Sequence, residues 1–434
     1  MPRVAFYTLG CKLNQYETEA IREQFETNGY EVVPFSSVAD VYVINTCTVT
    51  GRSDRSSRQA VYQALRRAPH ARIVATGCSA HLAPQSYASI SGVELVVGND
   101  KKERVFDCLI GAQSRDIAQQ EIQTSDHVDW FSISRFRNYT RAFIKIQDGC
   151  EAACSYCIVP SVRGSQRSRP IESILSQAHQ LIAGGYKEIV LTGVHVGAYG
   201  VDLSEQITLV DVLKAFIEMK GLWRIRLSSI GPMECSSQLI DFIASSPKIC
   251  RHLHIPLQSG DDEILTRMRR NYFTDEFADL IELIARKIPD VGIGTDVMVG
   301  FPGETERHFE NSYEFVKELP FSYLHVFSYS KRPGTGAARY SDQVPADVKK
   351  ERSTAFRRLR SEKITQFHSR FVGRSLNVLL EYRRDKKTGM LTGLSDNYIR
   401  VLVDGGDQFQ GKPVAVTVEK SEAGRAFGSM ACML

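Results

Sequence analysis

Three cysteines stand in one short run, Gly149-Cys150-Glu151-Ala152-Ala153-Cys154-Ser155-Tyr156-Cys157, with the spacing C-x3-C-x2-C. Three thiolates converging on one loop can hold three irons of a 4Fe-4S cluster and leave the fourth iron open to a chelating ligand. A structural zinc site is the competing chemistry, but it usually draws four ligands from paired C-x2-C units. A second set is dispersed: Cys11 in TLGCKLNQYETEA, Cys47 in NTCTVT and Cys78 in ATGCSA each directly follow an apolar run. Carboxyl ends of parallel strands share one crevice, so cysteines remote in sequence can meet there without a local motif. The repeat of strand, then Gly or Thr, then Cys favours a second metal-sulfur site with three protein ligands over buried, unreactive thiols. Cys108, Cys235, Cys250 and Cys432 lack such placement and read as packing or incidental thiols.

The elements that must position these groups form an α/β chain in three parts. Residues 1 to about 110 alternate apolar runs (4–9, 41–45, 72–76, 94–97) with amphipathic stretches (17–27, 55–67), the mark of a parallel, Rossmann-like α/β domain. From about 111 to 135 the pattern fades into a polar linker. A second βα series follows, with strand-like runs at 142–146, 188–191, 224–228, 252–257, 292–299 and 323–329. Six such units predict a partial (β/α)6 TIM-like barrel, whose reactive face lies at the carboxyl ends of its strands. A charged helix over 347–370 leads to short alternating runs at 375–382, 398–403 and 412–419, joined by Gly-containing turns, which predict a small antiparallel β-barrel. The expected domains are 1–115, 136–370 and 371–434.

With 434 residues, 43% of them hydrophobic and 24% charged, the chain is of ordinary globular composition. No run approaches the roughly 18 apolar residues a membrane span needs, and MPRVAFYTLG enters a strand pattern without a cleavable signal, so a cytoplasmic protein without a membrane partner is expected. Ten cysteines in that compartment point to ligands rather than disulfides. The net charge of +4 says little, but basic clusters recur: Lys349, Lys350, Arg352, Arg357, Arg358, Arg360, Lys363 and Arg370 on the long helix; Arg383, Arg384, Lys386 and Lys387 in the last domain; Arg163, Arg167 and Arg169 after the cysteine loop. Any one cluster is commonly a solvated face. Three of them beside a β-barrel favour RNA, with Arg163, Arg357, Arg358, Arg383, Arg384, Lys386 and Lys387 as the candidate contacts. His195 in LTGVHVGAYG sits at a strand end facing the expected pocket, while His252 and His254 alternate along a strand and read as packing; no histidine is assigned to a metal.

The C-x3-C-x2-C run after the first barrel strand resembles the radical S-adenosylmethionine (SAM) superfamily. That resemblance implies that Cys150, Cys154 and Cys157 hold a 4Fe-4S cluster whose open iron binds the amino and carboxylate groups of SAM, which an electron cleaves to a 5′-deoxyadenosyl radical. It places Tyr156 near the SAM adenine, Thr192 and Gly193 at its amino group, Gln258 and Ser259 of HIPLQSG at its ribose and carboxylate, and makes Asp296 and Gly300 of TDVMVGFPGET weaker candidates. Taken whole, the chain resembles the methylthiotransferases: a three-cysteine N-terminal domain, a radical SAM barrel and a C-terminal RNA-binding TRAM domain. TLGCKLNQYETEA and NTCTVT are most similar to the branch acting on N6-threonylcarbamoyladenosine beside the tRNA anticodon.

The implied reaction uses two SAM molecules, one methylating sulfur on an auxiliary 4Fe-4S cluster held by Cys11, Cys47 and Cys78, the other generating the radical that attacks C2 of adenine. A radical suits that carbon, because its C–H bond is neither appreciably acidic nor attached to a leaving group. A tRNA partner, a flavodoxin- or ferredoxin-like electron donor, no DNA and a monomeric state are expected with it. One departure is visible: the third barrel strand runs on as Ser228-Ser229-Ile230-Gly231-Pro232, where relatives commonly place glutamate at the position of Gly231, so that carboxylate is absent or supplied elsewhere. The rival readings are methylthiolation of isopentenyladenosine or a ribosomal protein, a non-enzymatic RNA-binding iron-sulfur sensor, and a structural zinc protein.

Overall fold

Strand β3 (Val41–Thr46) is buried at all six positions, as a central strand of a parallel sheet covered on both faces must be. It lies inside a six-stranded sheet ordered β2-β1-β3-β4-β5-β6, with β1 (Arg3–Thr8), β2 (Glu31–Val33), β4 (Arg72–Gly77), β5 (Val93–Val97) and β6 (Asp116–Ala118), every pairing parallel. The computed structural model describes residues 1–111, 116–118, 130–137, 139–422 and 424–434. Most of the expected linker over 111–135 lies outside the described residues. β2 and β6 are additions to the four strands read from sequence; three residues each is too short to show a period.

This sheet belongs to the first of two units, made of residues 1–135, 147–169 and 330–338. Helices α1 (Lys12–Thr27) and α2 (Gly51–Arg67) both begin earlier than their apolar periodicity indicates, because their starts are set by Cys11 and by Thr50, whose hydroxyl accepts from the Ser53 N–H. Tyr42, Ile44, Val61, Ala64, Ile73 and Val96 lie in a shared core under α2. The segment 147–169 adds a two-stranded antiparallel ribbon, β8 (Gln147–Asp148) with β9 (Arg167–Ser168), and the three clustered cysteines lie between its strands.

The second unit holds residues 136–146, 170–329 and 339–434. Six parallel strands form its barrel in two sheets of three: β7 (Ala142–Lys145), β10 (Glu188–Thr192) and β11 (Arg224–Leu227), then β12 (His252–His254), β13 (Gly292–Val299) and β14 (Tyr323–Ser328). A single bridge between Ile225 and Ile249 continues the first sheet toward the second. The last five strands, β15 (Ser375–Arg384), β16 (Leu391–Ser395), β17 (Arg400–Val403), β18 (Pro413–Glu422) and β19 (Arg425–Met433), close into a barrel. One pairing departs from the antiparallel expectation: β17 runs parallel to β19.

The small barrel is seated on the larger one by buried charge. Glu188 accepts from Arg224 at 2.6 Å and Arg226 at 2.8 Å, and the two guanidinium groups donate onward to the carbonyls of Asn377, Leu394, Ser395 and Asp396. Burial opposes ionisation of Glu188, but the two arginines overcome it and hold its carboxyl down at about 2. Tyr398, at a positive φ of 73°, stacks on His252 with ring centroids 4.1 Å apart.

Candidate functional site

β1, β3 and β4 are neighbours in the sheet, and Cys11, Cys47 and Cys78 come just after their carboxyl ends. The register places Thr8 opposite Asn45 and Thr46 opposite Gly77, so the three strands stop nearly level. Close approach is obtained through glycine: a Cβ on Gly10 (φ +102°) would lie 2.9 Å from Cys47 Sγ, and one on Gly77 (φ +94°) would overlap Asn45 and Thr46. Cys47 and Cys78 are buried, whereas Cys11 is exposed. Burial pushes the Cys47 thiol up, and Cys78 and Cys11 push the same way. Desolvation likewise raises Cys11 despite its solvent-facing edge, with the Arg163 charge opposing and Cys78 reinforcing the shift.

The clustered cysteines are shaped by their own backbone. Gly149 adopts φ +72° and a Cβ there would collide with the Ser165 carbonyl; Cys150 N–H donates to the Gly164 carbonyl at 3.1 Å. Cys157 N–H donates to the Cys154 carbonyl at 3.1 Å, folding the loop back on itself. Two amides aim at sulfur: Ala152 N–H at Cys150 Sγ and Val159 N–H at Cys157 Sγ, each 3.4 Å away. Such contacts stabilise thiolate character and tune bound clusters. A cavity of about 510 Å³ is lined by Cys150 and Glu151 together with His81, Pro160, Ser161 and Ser165.

Both cysteine sets belong to the same unit. Cys78 packs with Ile158 and Val162, and Leu82 covers them. Asn99 spans the junction, its amide 3.6 Å from Cys78 Sγ and 2.7 Å from the Val162 carbonyl. Arg163, expected on a basic RNA-facing patch, is instead 4% exposed and donates to Glu17 at 2.8 Å, Asp148 at 3.0 Å and Asn14 at 2.9 Å. Asn14 and Glu17 lie one turn apart on α1, which begins at the Cys11 cap. The guanidinium is therefore a clamp between the α1 start and the cysteine loop, and is not offered to RNA. Arg169 is buried as well.

In the barrel unit, Thr192 ends β10 buried, with its carbonyl taken by the Ile146 N–H, and Gly193 follows it. Gln258 is held at φ +74° between Asp296 and Met298 through 2.8 Å hydrogen bonds, a strained backbone of the kind that collects at functional sites; Ser259 beside it is buried. Asp296 is engaged by two imidazoles, His254 Nε2 at 2.9 Å and His325 Nδ1 at 3.2 Å. Burial opposes its charge, and these bonds nonetheless hold its carboxyl well below the usual range. His254, Asp296 and His325 could together hold a metal ion, their ligand atoms lying within 4.8 Å of one another. His252 and His254 are buried as expected, but both bond the Tyr323 hydroxyl, at 2.8 and 3.0 Å. His325 and Tyr323 escaped the sequence reading; their alternation on β14 was the available signal. Three residues on from Gly231, Glu234 pairs with His195 Nε2 at 3.1 Å.

Among the basic candidates, Arg357, Arg358, Arg383, Lys386 and Lys387 are exposed, and Arg384 is half-buried against Asp407. The long helix, Ala346–Ser369, presents less charge than its composition suggests: Arg352 is buried on Glu304, and Lys363 donates to the Lys317 and Leu319 carbonyls. No helix among the described residues is long and apolar enough to cross a membrane.

Residues 144–316 match the Radical SAM superfamily and residues 3–98 match Uncharacterized protein family UPF0004. Threonylcarbamoyladenosine tRNA methylthiotransferase MtaB of Bacillus subtilis (strain 168) is 41% identical over 428 residues, spanning 97% of this chain and 94% of that protein. The enzyme of the same name from Aquifex aeolicus (strain VF5) is 40% identical, spanning 93% and 97%. A tRNA-2-methylthio-N(6)-dimethylallyladenosine synthase of Protochlamydia amoebophila (strain UWE25) is 32% identical over 93% of this chain and 91% of its own. In fold, the chain resembles the radical S-adenosylmethionine methyltransferase TsrM from Kitasatospora setae, with a TM-score of 0.56 and 15% identity over 77% of each chain. With relatives of this identity over nearly its full length, the chain belongs to the radical SAM methylthiotransferase family, in the threonylcarbamoyladenosine tRNA methylthiotransferase branch.

Proposed function

We propose that this chain attaches a methylthio group to C2 of N6-threonylcarbamoyladenosine, next to the tRNA anticodon, using SAM and two 4Fe-4S clusters. One observation carries the reading: the thiols after β1, β3 and β4 gather at one end of a parallel sheet, in the same unit as the Cys150, Cys154 and Cys157 loop. Cys150, Cys154 and Cys157 are the proposed ligands of the SAM cluster, and Cys11, Cys47 and Cys78 those of the auxiliary cluster. The donor sets suit iron-sulfur centres: three soft thiols each, amide N–H groups directed at Cys150 and Cys157, and an apolar cover over Cys78. With clusters in both places, the chemistry supplied is one-electron cleavage of SAM and a sulfur for transfer.

The chain's own residues prepare that chemistry. Ile158, Val162 and Leu82 keep water from Cys78, Asn99 donates toward its sulfur, and Arg163 places a fixed positive charge near Cys11. Within the barrel unit Thr192, Gly193, Gln258, Ser259 and Asp296 are assigned to SAM; Tyr156 carries the same assignment within the cysteine unit. Arg357, Arg358, Arg383, Arg384, Lys386 and Lys387 are the proposed tRNA contacts. The proposed division of labour is 1–115 for sulfur donation, 136–370 for SAM chemistry and 371–434 for RNA, in a cytoplasmic monomer served by a flavodoxin- or ferredoxin-like electron donor.

The test is anaerobic reconstitution followed by addition of SAM, dithionite and tRNA carrying either N6-threonylcarbamoyladenosine or isopentenyladenosine, with nucleosides read by mass spectrometry. A methylthio product from the first substrate alone is expected. Product from the second alone would move the chain to the other branch, and unchanged nucleosides despite intact clusters would reject the assignment.

A further inference from the structure

Asn99 opens the short turn Asn99–Arg104 that follows β5. Its amide nitrogen lies 2.7 Å from the Val162 carbonyl and 3.6 Å from Cys78 Sγ, and its amide oxygen lies 3.3 Å from Lys102 Nζ. These neighbours fix which end of the amide is which. An ammonium only donates and a carbonyl only accepts, so the NH2 group faces Val162 and directs its second hydrogen toward the sulfur. Lys102 is 1% exposed and is itself held by Glu17 Oε2 at 2.5 Å. Glu17 also takes Arg163, which pairs with Asp148, so the charges of this buried network offset one another and what it supplies to Asn99 is orientation. Donation from Lys102 to the amide oxygen also strengthens the N–H groups of the same amide as donors. Elsewhere the sulfur donors are local backbone: Asn14 N–H for Cys11, Val49 N–H for Cys47, Ala152 N–H for Cys150 and Val159 N–H for Cys157. For Cys78 the donor is a side chain brought in from the next strand end, which substitution can remove.

We propose that Asn99 is a positioning residue for the auxiliary centre: its amide, oriented by buried Lys102, donates to the Cys78 sulfur and makes that centre easier to reduce than its cysteines alone would. The inference rests on the functional reading above, in which Cys78 is a ligand of the auxiliary cluster. Hydrogen bonds to cluster sulfurs help set the reduction potential, because an N–H dipole aimed at a thiolate stabilises the more negative, reduced state. Ile158, Val162 and Leu82 cover Cys78, so a fixed donor there works in an apolar surrounding where it counts for more than it would in water. Val162, which anchors the amide, lies in the short helix Val159–Arg163 that follows Cys157. The group that serves a sulfur of one cysteine set is thus held by the backbone of the other.

The experiment is an anaerobic redox titration followed by EPR on the reconstituted full-length protein, wild type beside Asn99→Leu, which keeps the side chain's size and loses the donor. The reduction equilibrium of the auxiliary centre is expected to fall about tenfold, which is about 59 mV for one electron. The centre at Cys150, Cys154 and Cys157 should keep its potential, and iron and sulfide per chain should match wild type. Repeating the comparison with those three cysteines replaced by Ala assigns the shifted signal. Pulsed EPR of the reduced auxiliary centre after exchange into D2O should show one exchangeable-hydrogen coupling fewer in Asn99→Leu. Lys102→Met, which leaves Asn99 in place, is expected to shift the potential in the same direction by less. A purely structural tie to Val162 would leave the potential of every assembled centre where it was, so an unshifted or raised potential in Asn99→Leu overturns the proposal. If that variant assembles no auxiliary centre, Lys102→Met decides: a lowered potential supports the proposal and an unshifted one overturns it. A wild-type protein that assembles only one cluster would overturn the functional reading, and this inference with it.

Discussion

Cys78 and Ile158 pack in one apolar cluster, although 78 directly follows a strand of the N-terminal sheet and 158 directly follows Cys157 in the other cysteine set. The two sets are thereby parts of one unit. The roles proposed for them can be separated by substitution because no cysteine belongs to both sets.

Replacing Cys11, Cys47 or Cys78 with Ala should abolish methylthio transfer while 5′-deoxyadenosine still forms from SAM. Iron per chain should drop from about eight to about four. The same change at Cys150, Cys154 or Cys157 should end SAM cleavage. Iron and sulfide analysis with product chromatography checks both.

Arg163→Ala takes the shared cation from the buried Glu17 and Asp148, leaving Glu17 its ion pair with Lys102 and removing the Arg163 ion pair of Asp148. Removing one partner from such a network typically costs about 3–5 kcal/mol. A lowered denaturation midpoint is expected, while the salt dependence of tRNA binding by the protein that remains folded should match wild type.

Gly149→Ala should fail to assemble the Cys150 centre. The added methyl meets the Ser165 carbonyl at a backbone angle that L-residues rarely adopt, and strain of this kind costs about 1–3 kcal/mol before any clash is counted. Loss of the charge-transfer absorbance attributable to one cluster, with the other retained, is the readout.

Charge reversal at Arg383, Lys386 and Lys387 should weaken tRNA binding and flatten its salt dependence, by about 0.7–0.9 in log–log slope for each phosphate that is no longer neutralised. SAM cleavage without tRNA should be unchanged. A full slope in the triple variant would place the RNA elsewhere.

Glu188 links stability to pH. Its folded value of about 2 lies below the ordinary 4.5, so its contribution is complete above about 4.5 and is lost as pH falls toward 2. His368, pushed by burial from 6.5 down to about 4, acts in the same direction: the unfolded chain takes up its proton first, so stability declines as pH drops from 6.5 to 4. Acid denaturation curves of the wild type should show both regions, and His368→Gln should lack the upper one.

Local features were legible from the chain alone. The C-x3-C-x2-C spacing, the apolar runs of the main strands and the Gly-containing turns of the last domain are set by neighbours in sequence, since periodicity and turn chemistry are short-range. The crevice for Cys11, Cys47 and Cys78 was legible only as far as parallel strands end together; that β1, β3 and β4 lie side by side is a matter of strand order, which no local pattern encodes. The fate of charge belonged to tertiary structure outright. Arg163 and Arg352 look like surface cations in sequence and are buried in ion pairs, Glu234 fills the volume left by Gly231, and β17 pairs parallel with β19. A side chain's solvation and partner depend on surfaces brought in from distant segments, so composition names the charges while only packing decides which of them face water.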